Sequence, residues 1–162
     1  MNDTLALSSP SSTALCARSV RLLIVDDHPV VRSGLVGMLD SAVDIDVVGQ
    51  AVDGAAAVEL AGELAPDVVL MDLRMPGMDG VEATRRILAV SDPPRVVVLT
   101  TYDTDGDILP AVEAGAIGYL LKDSPRGDIL AAVRAAAVGR GVLSPAVTSR
   151  LVKAARGAGV GT

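Results

Sequence analysis

Two adjacent acids, Asp26 and Asp27, close the apolar run "RLLIV" at 21–25, and a third, Asp72, closes "VVLM" at 68–71. A carboxylate at the end of a buried run is costly unless something nearby favours its charge. Two further runs end in groups that could do so: "RVVVL" ends in Thr100, and "GYLL" is followed by Lys122. If these four run ends lie together, three carboxylates, a hydroxyl and an ammonium share one site. Clustered carboxylates raise one another's pKa and destabilise a fold, a conflict that a hard divalent cation removes. Mg2+ suits such a set, because it binds through one or two carboxylates, several waters and phosphate oxygens. With Mg2+ and Lys122 at hand, one carboxylate is free to attack a phosphoryl group, and Thr100 can donate to a phosphoryl oxygen. Catalysis would then be positioning plus charge neutralisation.

Each residue also has a plain structural role. Asp27 could cap the helix that follows. Asp72 could be a loop acid before the turn-rich "RMPGMDG". Lys122 could be a solvated strand-end lysine, and Thr100 and Thr101 ordinary strand residues. Only their joint placement at four run ends sets them apart from such ordinary roles. His28, the single histidine, is expected in a surface or capping role rather than as a catalyst or metal ligand. Cys16 is the single cysteine, forms no intramolecular disulfide, and reads as a solvated bystander.

The elements that must position this set can be read from the periodicity. Strand-length apolar runs occur at 20–25, 45–51, 67–71, 95–100 and 118–121. Most do not alternate, which is the pattern of strands buried on both faces of a parallel sheet. Segments of helical period lie between them, from Pro29 to Leu39 and at about 54–65, 79–90, 105–114 and 125–138. Pro29 suits a first turn, Asp53 and Asp79 suit N-caps, and Gly115 and Gly139 suit helix ends. Five βα units with right-handed crossovers make a doubly wound α/β sheet. The common order for five strands is 2-1-3-4-5, with the ligand site at the carboxyl edge where strands 1 and 3 adjoin. That order brings Asp26, Asp27 and Asp72 together, with Thr100 and Lys122 facing them.

The totals narrow the class. The chain has 162 residues, half of them apolar, with no Phe, no Trp and two Tyr, so its core is aliphatic. That length suits one domain. A net charge of −6 and so few aromatics argue against direct binding to nucleic acid. No basic leader precedes an apolar run, and charges interrupt every long apolar window, so neither a signal peptide nor a membrane span is expected. A cytoplasmic domain is the default. Residues 1–19 read as a flexible N-terminal segment, 20–140 as the domain, and 141–162 as a linker holding a short helix at 145–156. Arg150, Lys153 and Arg156 there form a weakly basic patch that fits a linker helix, and the final "GAGVGT" follows no strand and reads as tail.

The wording of four segments carries a resemblance. "LLIVDDHPVVRSGL", "PDVVLMDLRMPGMDGVEATRRI", "VVVLTTYD" and "AGAIGYLLKD" resemble the receiver domain of two-component response regulators, and their detail resembles the NarL/FixJ (LuxR-type) subfamily. The resemblance covers Val20 to about Val147. It implies a flavodoxin-like (βα)5 fold and a phosphorylation switch. Asp72 would be the phospho-acceptor, served by a sensor histidine kinase. Asp26, Asp27, Asp72 and the main-chain carbonyl of Arg74 would hold Mg2+, with Mn2+ as the alternative ion. Thr100 and Lys122 would contact the phosphoryl group. Tyr119 matches the switch aromatic that turns inward when Thr100 moves towards the phosphate. Pro76 and Gly80 match the loop that shapes the acceptor site, and Arg74 and Tyr102 the positions that tune dephosphorylation. Asp123 stands where many receivers have a proline in a cis peptide, so a trans bond is expected after Lys122. The resemblance further implies homodimerisation on activation, and DNA binding only through a C-terminal helix-turn-helix domain that this sequence lacks. The chain is therefore expected to be the regulatory half of a transcriptional regulator, a signalling switch and not an enzyme.

Three other readings compete. An aspartyl-phosphate phosphohydrolase needs a second acid two residues after its nucleophile; that place holds Arg74 after Asp72 and His28 after Asp26. A flavin or nucleotide binder needs a Ser/Thr/Gly-rich loop after strand 1, where "DDHPVV" repels phosphate. An atypical receiver would keep the acidic set and be regulated without phosphorylation.

Overall fold

The computed structural model describes residues 19–101, 108–143 and 152. Strands β1 (Val20–Val25), β2 (Ile45–Ala51), β3 (Val68–Asp72), β4 (Arg95–Thr100) and β5 (Gly118–Leu121) alternate with helices α1 (Pro29–Asp40), α2 (Gly54–Leu64), α3 (Gly80–Leu88), α4 (Ile108–Ala114) and α5 (Arg126–Ala137). All pairings are parallel, in the order β2-β1-β3-β4-β5. The expected doubly wound flavodoxin-like sheet is therefore present.

Aliphatic side chains pack on both faces of the sheet. Leu23, Val25, Val69, Met71, Val96, Val98, Tyr119 and Leu121 meet Ala57 and Ala61 of α2, Val81 and Ile87 of α3, and Ala111 of α4. Leu22, Ile24, Val68, Leu70, Val97, Leu99 and Leu120 meet Leu35 and Leu39 of α1 and Ile129, Leu130 and Val133 of α5. Burial on both faces explains why the strand runs do not alternate in sequence.

Local signals behave as their chemistry requires. Pro29 opens α1; Asp53 accepts from the Ala56 amide at 2.8 Å and Asp79 from that of Glu82 at 2.9 Å. Gly115 and Gly139 stop α4 and α5 at φ 106° and 82°. No cis peptide occurs among the described residues, so the Lys122–Asp123 bond is trans as expected.

Three expectations need correction. Helix α3 ends at Leu88 rather than 90, where the turn through Asp92, at φ 54°, takes over before Pro93 and Pro94. Helix α2 ends at Leu64, because Ala65 adopts a left-handed conformation with φ 48°. The sheet also continues past residue 140. Val142–Leu143 adds a sixth strand, β6, parallel to β5 with Gly118 opposite Val142 and Tyr119 opposite Leu143. Gly141 permits this approach, since a Cβ there would lie 2.7 Å from the Ile117 carbonyl oxygen. The start of α4 expected at 105–107 and most of the helix expected at 145–156 lie outside the described residues, as does the segment 1–18.

Candidate functional site

The parallel registers stagger the strand ends along one edge. Val25 lies opposite Met71, so Asp26 and Asp72 follow from neighbouring strands at the same level. Asp72 lies opposite Leu99, and the next residue of β4, Thr100, lies opposite Leu121, which Lys122 follows. The Lys122 amide donates to the Thr100 carbonyl at 2.8 Å and ties the last two ends together. Four residues from four strands therefore meet at the carboxyl edge.

The side chains form a dense charged cluster. Asp26 is fully buried and Asp72 is 3% exposed. The Lys122 ammonium sits between them, 3.1 Å from Asp26 Oδ2 and 3.0 Å from Asp72 Oδ2. These are ion-pair contacts: neither oxygen receives an aligned hydrogen bond, and the same holds for Asp27 Oδ1. Buried oxygens with lone pairs left over are the donor set that a hard cation takes. Asp72 Oδ1 accepts from the Arg74 amide at 3.3 Å. Burial pushes the Asp72 carboxyl up and the Asp26 charge adds to the rise. Lys122 pulls it back, leaving it at about 6. Burial alone would lower the Lys122 ammonium, but Asp72 and Asp26 outweigh it, so its pKa ends above the usual lysine value.

The turn bearing the acids is held from outside. Arg32, one turn into α1, donates to the Asp26 carbonyl at 2.8 Å and to Gln50 Oε1 of β2 at 3.2 Å. The His28 amide donates to Asp26 Oδ1 at 2.8 Å. His28 occupies the N-cap position of α1, yet its side chain makes no capping bond. Its Nδ1 instead lies 3.1 Å from Asp27 Oδ1 and 3.5 Å from Asp26 Oδ1. One donor atom each from Asp26, Asp27, His28 and Asp72 falls within a span of 4.8 Å. His28 is thus turned towards the acids rather than into a cap, and Arg32 joins the site as a residue that holds the turn. The available signal for Arg32 was its place four residues after His28, on the same face of the first turn.

Thr100 and Tyr119 occupy the opposite face of the sheet edge. Thr100 shares the pleat of Val96 and Val98, and Tyr119 pairs with Val98 in register. Thr100 is buried and its hydroxyl donates to the Thr101 carbonyl at 3.2 Å. Tyr119 is buried, its hydroxyl donates to the Ala116 carbonyl, and burial pushes that phenol up to about 12. The β3–α3 loop is pressed against the end of β3 at Gly80. Its amide donates to the Leu73 carbonyl at 2.9 Å, and a Cβ there would lie 2.2 Å from the Asp72 carbonyl oxygen. Tyr102 lies outside the described residues.

An open parallel sheet whose switch point carries an aspartate cluster facing a lysine defines the receiver class of signalling domain. The chain belongs to that family: residues 22–134 match the response regulator receiver domain. It is 50% identical over 105 residues to the transcriptional regulatory protein LiaR of Bacillus subtilis, covering 65% of this chain and 50% of LiaR. It is 43% identical to the solved signal receiver domain of the putative response regulator NarL from Mycobacterium tuberculosis. That likeness has a TM-score of 0.72 and covers 76% of this chain and 99% of that one. A LuxR-family two-component response regulator from Aurantimonas is 36% identical, with a TM-score of 0.77 over 83% of this chain and 96% of that one. The chain thus holds a receiver domain of the LuxR-type two-component response regulators. It spans about half the length of LiaR. No helix among the described residues is long and apolar enough to cross a membrane.

Proposed function

We propose that the chain is a phosphorylation-controlled switch in which Asp72 accepts a phosphoryl group from a sensor histidine kinase. The observation that carries this reading is the pairing of a nearly buried Asp72 with the Lys122 ammonium at 3.0 Å, at the edge where Asp26 and Asp27 also meet. One Asp72 oxygen is oriented by the Arg74 amide, while the other faces Lys122 and would form the new bond to phosphorus as the phosphorus–nitrogen bond of the kinase's phosphohistidine breaks and the imidazole leaves. Lys122 then has a phosphoryl oxygen to neutralise in place of a bare carboxylate. Thr100 would release the Thr101 carbonyl and donate to a phosphoryl oxygen. Tyr119, on the same sheet face, would hold the space that this movement leaves, which makes the pair a two-state element biased by a local charge change.

The residues present fit a divalent cation. Asp26, Asp27 and Asp72, with the Arg74 main-chain carbonyl, would hold Mg2+ or Mn2+. The ion would supply positive charge that lets three acids coexist and offsets the charge of the incoming group. Arg74 and Tyr102 would tune how fast the phosphoryl group is lost. Turnover would be slow, as suits a switch rather than an enzyme.

The family membership supports a wider reading. The domain would extend from residue 20 to the end of β6, with the following residues leading towards a DNA-binding domain of the kind that transcriptional regulators carry. Activation would favour a homodimer, in the cytoplasm, with DNA contacted through that further domain and not through this one. The test is to incubate the protein with a small phosphodonor and Mg2+ and measure its mass. Wild type should gain one phosphoryl group and Asp72→Asn none. An unchanged wild-type mass, or an undiminished gain in Asp72→Asn, overturns the reading.

A further inference from the structure

We infer that His28 is a nitrogen ligand in the acidic site, making it a mixed nitrogen–oxygen centre that takes Zn2+ or Co2+ more tightly than Mg2+. The inference rests on the cation site proposed above and concerns which ions it prefers.

Three observations carry it. First, the imidazole stands at a helix N-cap without capping, and its Nδ1 is directed at Asp27 and Asp26 instead. Second, the four donor atoms of Asp26, Asp27, His28 and Asp72 already fall within 4.8 Å of one another. Ligands on opposite sides of a small divalent ion stand about 4.2 Å apart, given metal–oxygen distances of about 2.1 Å. Small side-chain rotations would close the set. Third, Asp26 Oδ2 and Asp72 Oδ2 belong to side chains more than nine-tenths buried, and the two share the single Lys122 ammonium, at 3.1 and 3.0 Å, which leaves lone pairs on each.

The chemistry then separates the ions. Mg2+ prefers oxygen and keeps its waters, so an adjacent imidazole adds little. Zn2+ and Co2+ gain substantially from imidazole nitrogen, and affinity rises towards them along the divalent series. His28 is largely exposed, so its side chain can turn onto an ion without repacking the core. A cation held this way would compete with Mg2+ for the same three carboxylates. Transition-metal availability would thus bear on the same site as phosphorylation.

The test uses the full chain in a Cys16→Ser background, which removes the one thiol. Affinities for Zn2+, Co2+ and Mg2+ are measured by titration calorimetry for this protein and for the His28→Gln variant. The variant should lose about tenfold or more in Zn2+ and Co2+ affinity and less than about twofold in Mg2+ affinity. His28 is the only histidine, so imidazole 15N resonances report on it alone. Zn2+ should shift Nδ1 as a metal-bound nitrogen, and Mg2+ should not. If Mg2+ binds but His28→Gln leaves Zn2+ affinity unchanged, or weakens both ions equally, the inference fails and the cation site stands. If no divalent ion binds, or Asp26→Asn and Asp72→Asn leave binding unchanged, the cation site fails and the inference with it.

Discussion

Asp72→Asn should make the metal-free fold more stable, in a way that depends on pH. The Asp72 carboxyl is raised from an ordinary 3.8 to about 6, chiefly by burial and despite the help of Lys122. Each pH unit of displacement is worth about 1.36 kcal/mol. The folded state therefore binds its proton more tightly than the unfolded chain does. Between those two values the folded state carries more protons, so stability falls as pH rises. The contribution is whole below 3.8 and lost once pH passes about 6. Asparagine keeps the shape and carries no charge. In EDTA the variant should gain about 3 kcal/mol at pH 7.5 and about 1 kcal/mol at pH 4.5, by proton linkage. With an m-value of about 2 kcal/mol/M, the urea midpoint at pH 7.5 moves up by about 1.5 M. Equilibrium urea unfolding followed by far-ultraviolet circular dichroism measures both. A variant no more stable than wild type at pH 7.5, or a gain equal at the two pH values, would refute the reasoning.

Replacing Lys122 with Met should move the Asp72 titration above about 6, read from carboxyl 13C shifts, because the ammonium is what holds it down. The same change strands two buried acids and should cost about 3–5 kcal/mol in urea unfolding at neutral pH. Gly80→Ala should lower stability by about 1–3 kcal/mol, since its Cβ would meet the backbone of Asp72 and Leu73, which cannot yield as a side chain would; thermal unfolding checks this. Tyr119→Phe should cost about 1–3 kcal/mol by leaving the Ala116 carbonyl without its donor in a buried place, again by urea unfolding.

The sequence made the site's members legible because each ends a run of buried aliphatics. Val25 before Asp26, Met71 before Asp72 and Leu121 before Lys122 mark where a two-sided strand leaves the core. The strand order followed from five βα units and a topological preference. Side-chain direction was not legible. That Thr100 and Tyr119 share one pleat, while Asp26, Asp72 and Lys122 gather beside the other, is a matter of register that a list of run ends does not encode. His28 shows the limit most clearly. As a residue type next to Pro29 it reads as a surface or capping residue, and only the backbone turn, fixed by the hydrogen bond from its amide to Asp26 Oδ1 and by Arg32, aims the imidazole at the acids. Strand β6 leaves no mark in the sequence, because two residues carry no period.

That last strand has a mechanical consequence. Leu143 is in register with Tyr119, on the strand that Lys122 follows. Tension applied to the chain after Leu143 is borne by the β5–β6 rungs before any of it reaches the buried sheet. The load thus arrives at the strand carrying Tyr119 rather than at the loops around Asp72. A pull on the chain after Leu143 along the strand direction would load these two register pairs in shear, and so few rungs would part before the longer strands of the sheet do.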